Sequence, residues 1–239
     1  LCFFSPGDRI EEAEKLFLQG NELKKCIILA NGKPPVKSII TFFQKKGYDK
    51  LICADGGANS ALKFNLVPDV IIGDLDSISS AAFNEFRSYT KIIRLKRQND
   101  TDVEKCLKYA IKNKFNEALL MGATGNRLDH TFCNLGIVLK FFPQIKISLI
   151  AENSFLISAT GNTEIKTLPG ETISIYGISS KTRITSTGLK YELQNTSLPF
   201  GQRESTSNIA KRDNVKLKIS GGVAFIIRDV KTLMKNGLF

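Results

Sequence analysis

Leu51-Ile-Cys-Ala54-Asp55-Gly56-Gly57-Ala58-Asn59-Ser-Ala-Leu-Lys-Phe-Asn65 is the stretch that decides the fold. Its first four residues make a short apolar run of strand type, and Ala58 to Asn65 has helical spacing. The two glycines between them let the backbone turn sharply. Strand, tight turn and helix together are the unit from which parallel α/β sheets are built. The unit recurs on both sides. Cys26–Leu29 precedes a helix over Val36 to Lys46, and Val70–Ile72 precedes one near Ala81 to Tyr89. Ile92–Leu95 and Ala118–Met121 each lead into another helix, and Ile147–Ile150 ends the series. Such alternation predicts a parallel sheet covered on both faces, with ligands beyond the carboxyl ends of its strands.

After residue 150 the helical pattern stops. Thr172–Tyr176, Thr182–Thr185, Lys190–Leu193, Val215–Ile219 and Val223–Ile227 are short, alternating or β-branched, and Gly and Pro punctuate them. This half reads as an antiparallel sandwich or barrel. The expected fold is an α/β parallel-sheet domain over residues 1–152 followed by an all-β sandwich domain over 153–239, the boundary falling between Glu152 and Gly161. There is no internal repeat. A chain of 239 residues is long enough for two such cores.

Composition narrows the functional classes. No apolar run is long enough to span a bilayer, so no membrane partner is expected. Leu1–Phe4 is apolar but very short and has no basic leader, which makes it a poor signal peptide. Five dispersed cysteines without a CxxC pair argue against a zinc site or a disulfide framework and point to reduced thiols in the cytoplasm. The single histidine, His130, is the one residue on which a Ser-His-Asp or Cys-His mechanism could rest. The net charge of +11 would attract ATP and nucleic acid alike. The lysines and arginines are scattered, as on a solvated surface, so no nucleic-acid partner is expected.

Four segments carry chemistry. Asp55-Gly56-Gly57-Ala58-Asn59 joins a strand end to a helix whose first N–H groups are free. In Gly73-Asp74-Leu75-Asp76-Ser77, an extended backbone would point Asp74 and Asp76 the same way. In Asn99-Asp100-Thr101-Asp102-Val103-Glu104, Thr101 and Glu104 form a capping box that sets Asp102 in the first turn of a helix. Each Asp alone reads as an ordinary helix cap. Gathered at neighbouring strand ends, Asp55, Asp74, Asp76 and Asp102 suit a hard divalent cation such as Mg2+. The fourth segment, Gly122-Ala123-Thr124-Gly125-Asn126-Arg127-Leu128-Asp129-His130, opens a helix over Leu128 to Phe142 and suits phosphate, although it is neither a Walker A loop nor a dinucleotide fingerprint. His130 reads as a cap or brace of this turn, with catalysis as the alternative. Ser205-Thr206-Ser207-Asn208 reads as a polar loop and Phe225 as a core-facing strand residue.

Taken together, ADGGAN, GDLDS, TD before a helix, GATGNRLDH and STSN resemble the thiamine pyrophosphokinase family from about Cys26 to Arg228. The resemblance implies an α/β domain that binds ATP and metal, followed by a β-sandwich that binds thiamine and pairs into a homodimer with substrates between subunits. It implies transfer of the diphosphate of ATP to the thiamine hydroxyl, with Mg2+ as cofactor. Asp74, Asp76 and Asp102 would be catalytic and metal-binding, with Asp55 close by. Asp55, Gly56, Gly57, Asn59, Gly122, Thr124, Gly125 and Arg127 would meet ATP, and Asp129, Ser205, Ser207, Asn208 and Phe225 would shape the thiamine site. Phe225 falls where some relatives carry a stacking Trp. Asn99 replaces an acid common in relatives, with Asp100 beside it. Asp76 or Asp102 could accept the hydroxyl proton. Rival readings are a diphosphokinase for another alcohol, such as a hydroxymethylpterin, and a non-catalytic nucleotide or nucleic-acid binder.

Overall fold

The computed structural model describes residues 23–96, 99–125 and 127–239. Leu1–Phe4, with Cys2, and Asn126 lie outside the described residues. Contacts divide the chain into two units, the second running Asn153–Phe239.

The first unit is a parallel sheet. Its strands are β1 (Lys25–Leu29), β2 (Lys50–Ala54), β3 (Val70–Gly73), β4 (Lys91–Arg94), β5 (Glu117–Met121) and β6 (Lys146–Ala151). The crossovers are α1 (Lys37–Lys45), α2 (Gly57–Lys63), α3 (Ser80–Phe86), α4 (Asp102–Lys112) and α5 (Leu128–Phe141). The spatial order is β6-β5-β1-β2-β3-β4, every pair parallel. Consecutive residues Ile27, Ile28 and Leu29 are all fully buried, because helices cover both faces of the central strands. Each such side chain contributes about 1.5–3 kcal/mol by leaving water. The chain steps outward from β1 to β4 and then returns to β5 on the other side of β1, so the order reverses between β1 and β5. Carboxyl-end loops at that reversal are the usual ligand positions.

The second unit is antiparallel. Its strands are β7 (Ser154–Lys166), β8 (Thr172–Gly177), β9 (Arg183–Thr187), β10 (Ser205–Ile209) and β11 (Asn214–Asp229). The order is β10-β8-β11-β7. The first half of β11 also pairs with β9, the second half pairs with β8, and β7 follows both halves. One apolar core results, around Ile173, Ile175, Ile184, Val215, Leu217, Ile219, Ala224 and Ile226.

Several local expectations are corrected here. The two runs predicted at Val215–Ile219 and Val223–Ile227 are one strand, β11, with a register shift between Ile219 and Ala224. That bulge reverses the alternation, so odd-numbered residues face the core before it and even-numbered ones after it. Phe225 is therefore buried on the face away from the core containing Ala224 and Ile226, and is not core-facing. Lys190–Leu193 is not a strand. The Glu192 carboxylate takes the N–H groups of Gly188 and Leu189 and the Ser186 hydroxyl, and these local bonds displace ladder pairing. Ser205–Asn208, read as a loop, belongs to β10. A helix, α6 (Val230–Asn236), does follow residue 150 and is capped by Asp229.

Candidate active site

The three acidic segments meet at the carboxyl ends of β2, β3 and β4. Asp55 follows β2 with φ 42°, a left-handed conformation uncommon for a side chain with a Cβ. Its carboxylate accepts the N–H groups of Ser77 (3.3 Å) and Ile78 (3.1 Å), which ties the turn after β2 to the loop after β3. Gly73 makes the approach possible, since a Cβ there would stand 2.6 Å from the Asp55 Cβ. Burial pushes the Asp55 carboxyl up to about 6; the Ser77 N–H opposes this, while Asp102, Asp74 and Asp76 add to it.

β3 ends at Gly73 and the extended backbone ends with it. Leu75 takes φ 68°, and the Asp76 N–H turns back to Asp74 Oδ1 at 3.3 Å. Strand alternation is therefore not what brings Asp74 and Asp76 together, although their carboxylates do neighbour each other through this turn. Carboxylate oxygens of Asp55, Asp74 and Asp102 lie within 4.8 Å of one another, a group that does not include Asp76. The Asp76 carboxylate adjoins that of Asp74 and also accepts the Ser77 hydroxyl at 2.9 Å.

Asp102 stands in the first turn of α4, where the expected capping box is complete: Glu104 N–H to Thr101 Oγ1 at 3.2 Å and Thr101 N–H to Glu104 Oε2 at 2.9 Å. Glu104 also pairs with Lys140 of α5. Burial opposes ionisation of Glu104, but Lys140 and the Thr101 N–H outweigh it and hold the carboxyl below its usual range. The sequence reading missed Lys105. Its ammonium lies 2.7 Å from Asp102 Oδ1, and its side chain is 5% exposed. The available signal was its spacing, since residues three apart on a helix share a face. Asp100, beside Asn99, pairs with Lys108 at 2.6 Å and is not in the three-acid group.

The remaining residues expected in the first unit lie in the turns that follow β2 and β5. Asn59 spends its amide on backbone, giving Nδ2 to Ser77 O at 2.9 Å and taking the Ser79 N–H at 2.8 Å, so it braces the acidic loop. Gly56 and Gly57 form the turn into α2. Gly122, at φ 65°, leads a loop that β1 continues to pair with: Gly32 N–H reaches Gly122 O, and Lys33 N–H reaches Thr124 O, each at 2.7 Å. A Cβ on Gly122 would meet Ala30 O at 2.5 Å. Buried Asn134 of α5 donates to Ala123 O and pins the same loop, whose exposed end is Gly125. Arg127 stands at the N-cap position of α5 without a side-chain capping bond, and its guanidinium grips Asp129 (Nε–Oδ1 2.9 Å), which holds that carboxyl well below the usual range. His130 is exposed in the same first turn.

In the second unit, Asn208 is 2% exposed and saturated. It accepts from Tyr191 N and Ile209 N, and donates to Tyr191 O and Ser205 Oγ. It locks the segment after β9 against β10. Beside it is a recess of about 220 Å3 lined by Tyr191, Glu192, Arg203, Ser205 and Thr206. Ser207 has φ 54° and donates its N–H to Ser174 Oγ. Phe225 is 7% exposed, whereas Tyr191, which the sequence reading overlooked, is 62% exposed at this recess, with the Lys190 ammonium 5.3 Å from its ring centroid.

Family models match both units: "Thiamin pyrophosphokinase, catalytic domain" over residues 23–149 and "Thiamin pyrophosphokinase, vitamin B1 binding domain" over 162–224. Thiamin pyrophosphokinase 1 of Caenorhabditis elegans is 30% identical over 219 residues, 84% of this chain and 88% of that protein. Thiamine pyrophosphokinase 1 of Arabidopsis thaliana is 30% identical over 76% of this chain and 78% of its own length. In fold, the chain is similar to the Candida albicans thiamin pyrophosphokinase structure, with a TM-score of 0.74 at 21% identity, covering 87% of this chain and 89% of that one. Matching models across both units, with relatives at this identity and coverage, place the chain in the thiamin pyrophosphokinase family.

Proposed function

We propose that the protein is a Mg2+-dependent, ATP-using enzyme that moves the β,γ-diphosphate of ATP onto the hydroxyl of thiamine and releases AMP. The observation that carries this reading is the convergence of Asp55, Asp74 and Asp102 at the carboxyl ends of adjoining strands. Three carboxylates within reach of one point are hard oxygen donors that fit Mg2+. Held there, the ion would supply charge neutralisation along the ATP phosphates.

The chain's own groups do the rest. The Gly122–Gly125 loop, with Gly56, Gly57 and Thr124, offers close backbone approach to phosphates, and Arg127 offers charge, with Asp129 fixing its guanidinium. The thiamine hydroxyl oxygen attacks the β-phosphorus, and the bond from that phosphorus to the bridging oxygen of AMP breaks. Asp76, outside the three-acid group, takes the hydroxyl proton; Asp102 is engaged by Lys105. Most of the acceleration is positional and electrostatic. Ser205, Ser207 and Asn208 shape the thiamine side. Tyr191 offers an exposed aromatic side chain there, and Phe225 supports the strand from its buried position.

A homodimer with substrates between subunits goes with this reading. Exposed Leu128 and Phe132 on α5, and Phe200 and Tyr191 in the second unit, are apolar groups that such a contact would cover. A cytoplasmic setting is in keeping with the unpaired cysteines Cys26, Cys53, Cys106 and Cys133. No described helix is long and apolar enough to cross a membrane. The acceptor is tested by offering thiamine and a hydroxymethylpterin in parallel with ATP and Mg2+. AMP should form with thiamine. AMP formed with the pterin alone overturns the substrate, and tight, steeply salt-dependent nucleic-acid binding without any AMP overturns the enzyme.

A further inference from the structure

The acidic centre contains a cation of the chain's own. Lys105 lies on α4 three residues after Asp102, almost fully buried, with its ammonium 2.7 Å from Asp102 Oδ1. Buried lysines are rare unless paired, and this one is paired inside a group of three acids. The formal charges give the role: the three carboxylates supply −3, Asp76 beside Asp74 adds to that, and the one ammonium offsets part of it.

We infer that Lys105 is a positioning residue that tempers the charge of the ion site, holding Asp102 beside Asp55 and Asp74 and lowering the negative charge that meets an arriving cation. The inference rests on the reading of these acids as ion ligands. Without the ammonium, the three acids repel one another whenever the ion is absent, and they hold an arriving ion harder. Lys105 thus weakens ion binding and keeps the group intact between turnovers, when ion and nucleotide leave.

Mn2+ binding measured by calorimetry, without ATP or thiamine, tests this independently of turnover. Lys105→Met should bind Mn2+ about tenfold more tightly than wild type. Its melting temperature without ion should fall, and the deficit should close when Mn2+ saturates. Lys105→Arg, which keeps the charge, should bind Mn2+ within about threefold of wild type. Unchanged or weaker binding by Lys105→Met overturns the inference. If that variant is unfolded without ion, folding driven by Mn2+ and followed by circular dichroism supports the inference, and failure to fold in millimolar Mn2+ overturns it. Asp102→Asn separates the two levels. If it loses Mn2+ affinity while Lys105→Met gains none, only the role of Lys105 fails. If Asp102→Asn binds as wild type does, the ion reading fails and the inference fails with it.

Discussion

The two ends of the parallel sheet use the same residue types to opposite effect. At the amino ends of the strands, acids are matched by cations. Glu117 accepts Tyr48 Oη at 2.6 Å and Lys146 Nζ at 3.0 Å with Lys25 nearby, and Asp69 takes Lys50 Nζ at 3.1 Å and the Leu51 N–H at 2.9 Å. At the carboxyl ends, three acids share one lysine, and Asp55 and Leu75 hold left-handed backbone. Balanced charge makes an architectural end. Charge left unbalanced, in strained loops, is retained for a ligand. Size alone misleads here: a recess of about 1200 Å3 lies at the amino ends, lined by Lys25, Lys50 and Lys91, away from the acidic centre.

The contrast is most exposed to a change at its unbalanced end. Asp74→Asn should cut turnover by roughly 10^2–10^3-fold while leaving thermal unfolding unchanged within a degree or two. Near-normal turnover in that variant would remove the functional half of the comparison.

At the balanced end the effect should be on stability, not rate. Burial raises the Glu117 pKa, but Lys146, Tyr48 and Lys25 outweigh it, so the folded carboxyl titrates below its unfolded value of about 4.3. A lowered carboxylate pKa stabilises the fold above that unfolded value, and the contribution is lost as pH falls through the folded pKa. Glu117→Gln should therefore lose about 2 kcal/mol at neutral pH, with the gap to wild type closing below about pH 4 and turnover per folded molecule unchanged. A gap that persists in acid would mean that packing, not charge, sets the effect. The smallest change is expected from Lys50→Ala. That ion pair is half exposed, so chemical denaturation should shift by no more than about 0.5 kcal/mol.

The unbalanced end was also the more legible one in the sequence. Asp55, Asp74 and Asp102 each follow a strand whose apolar run is self-evident, and topology then brings the strand ends together. The capping box at Thr101 and Glu104 is local chemistry and reads directly. What escaped depends on geometry beyond a few residues. The left-handed turn at Leu75 ends the extended backbone between Asp74 and Asp76, and the bulge in β11 turns Phe225 away from the core. Lys105 looked like any helical lysine, because its burial comes from α4 lying against the sheet. The β unit was read less well because its strands compete with side-chain bonds, as at Glu192, and because β10 is made of polar residues.

The most direct measurement is phosphorus NMR of the protein with ATP, thiamine and Mg2+. AMP and thiamine diphosphate should grow in equal amounts, stop on chelation, resume with added Mg2+ and be absent in Asp74→Asn. Release of ADP and inorganic phosphate instead, or AMP formation indifferent to chelation, would contradict an ion-dependent diphosphate transfer centred on the three acids.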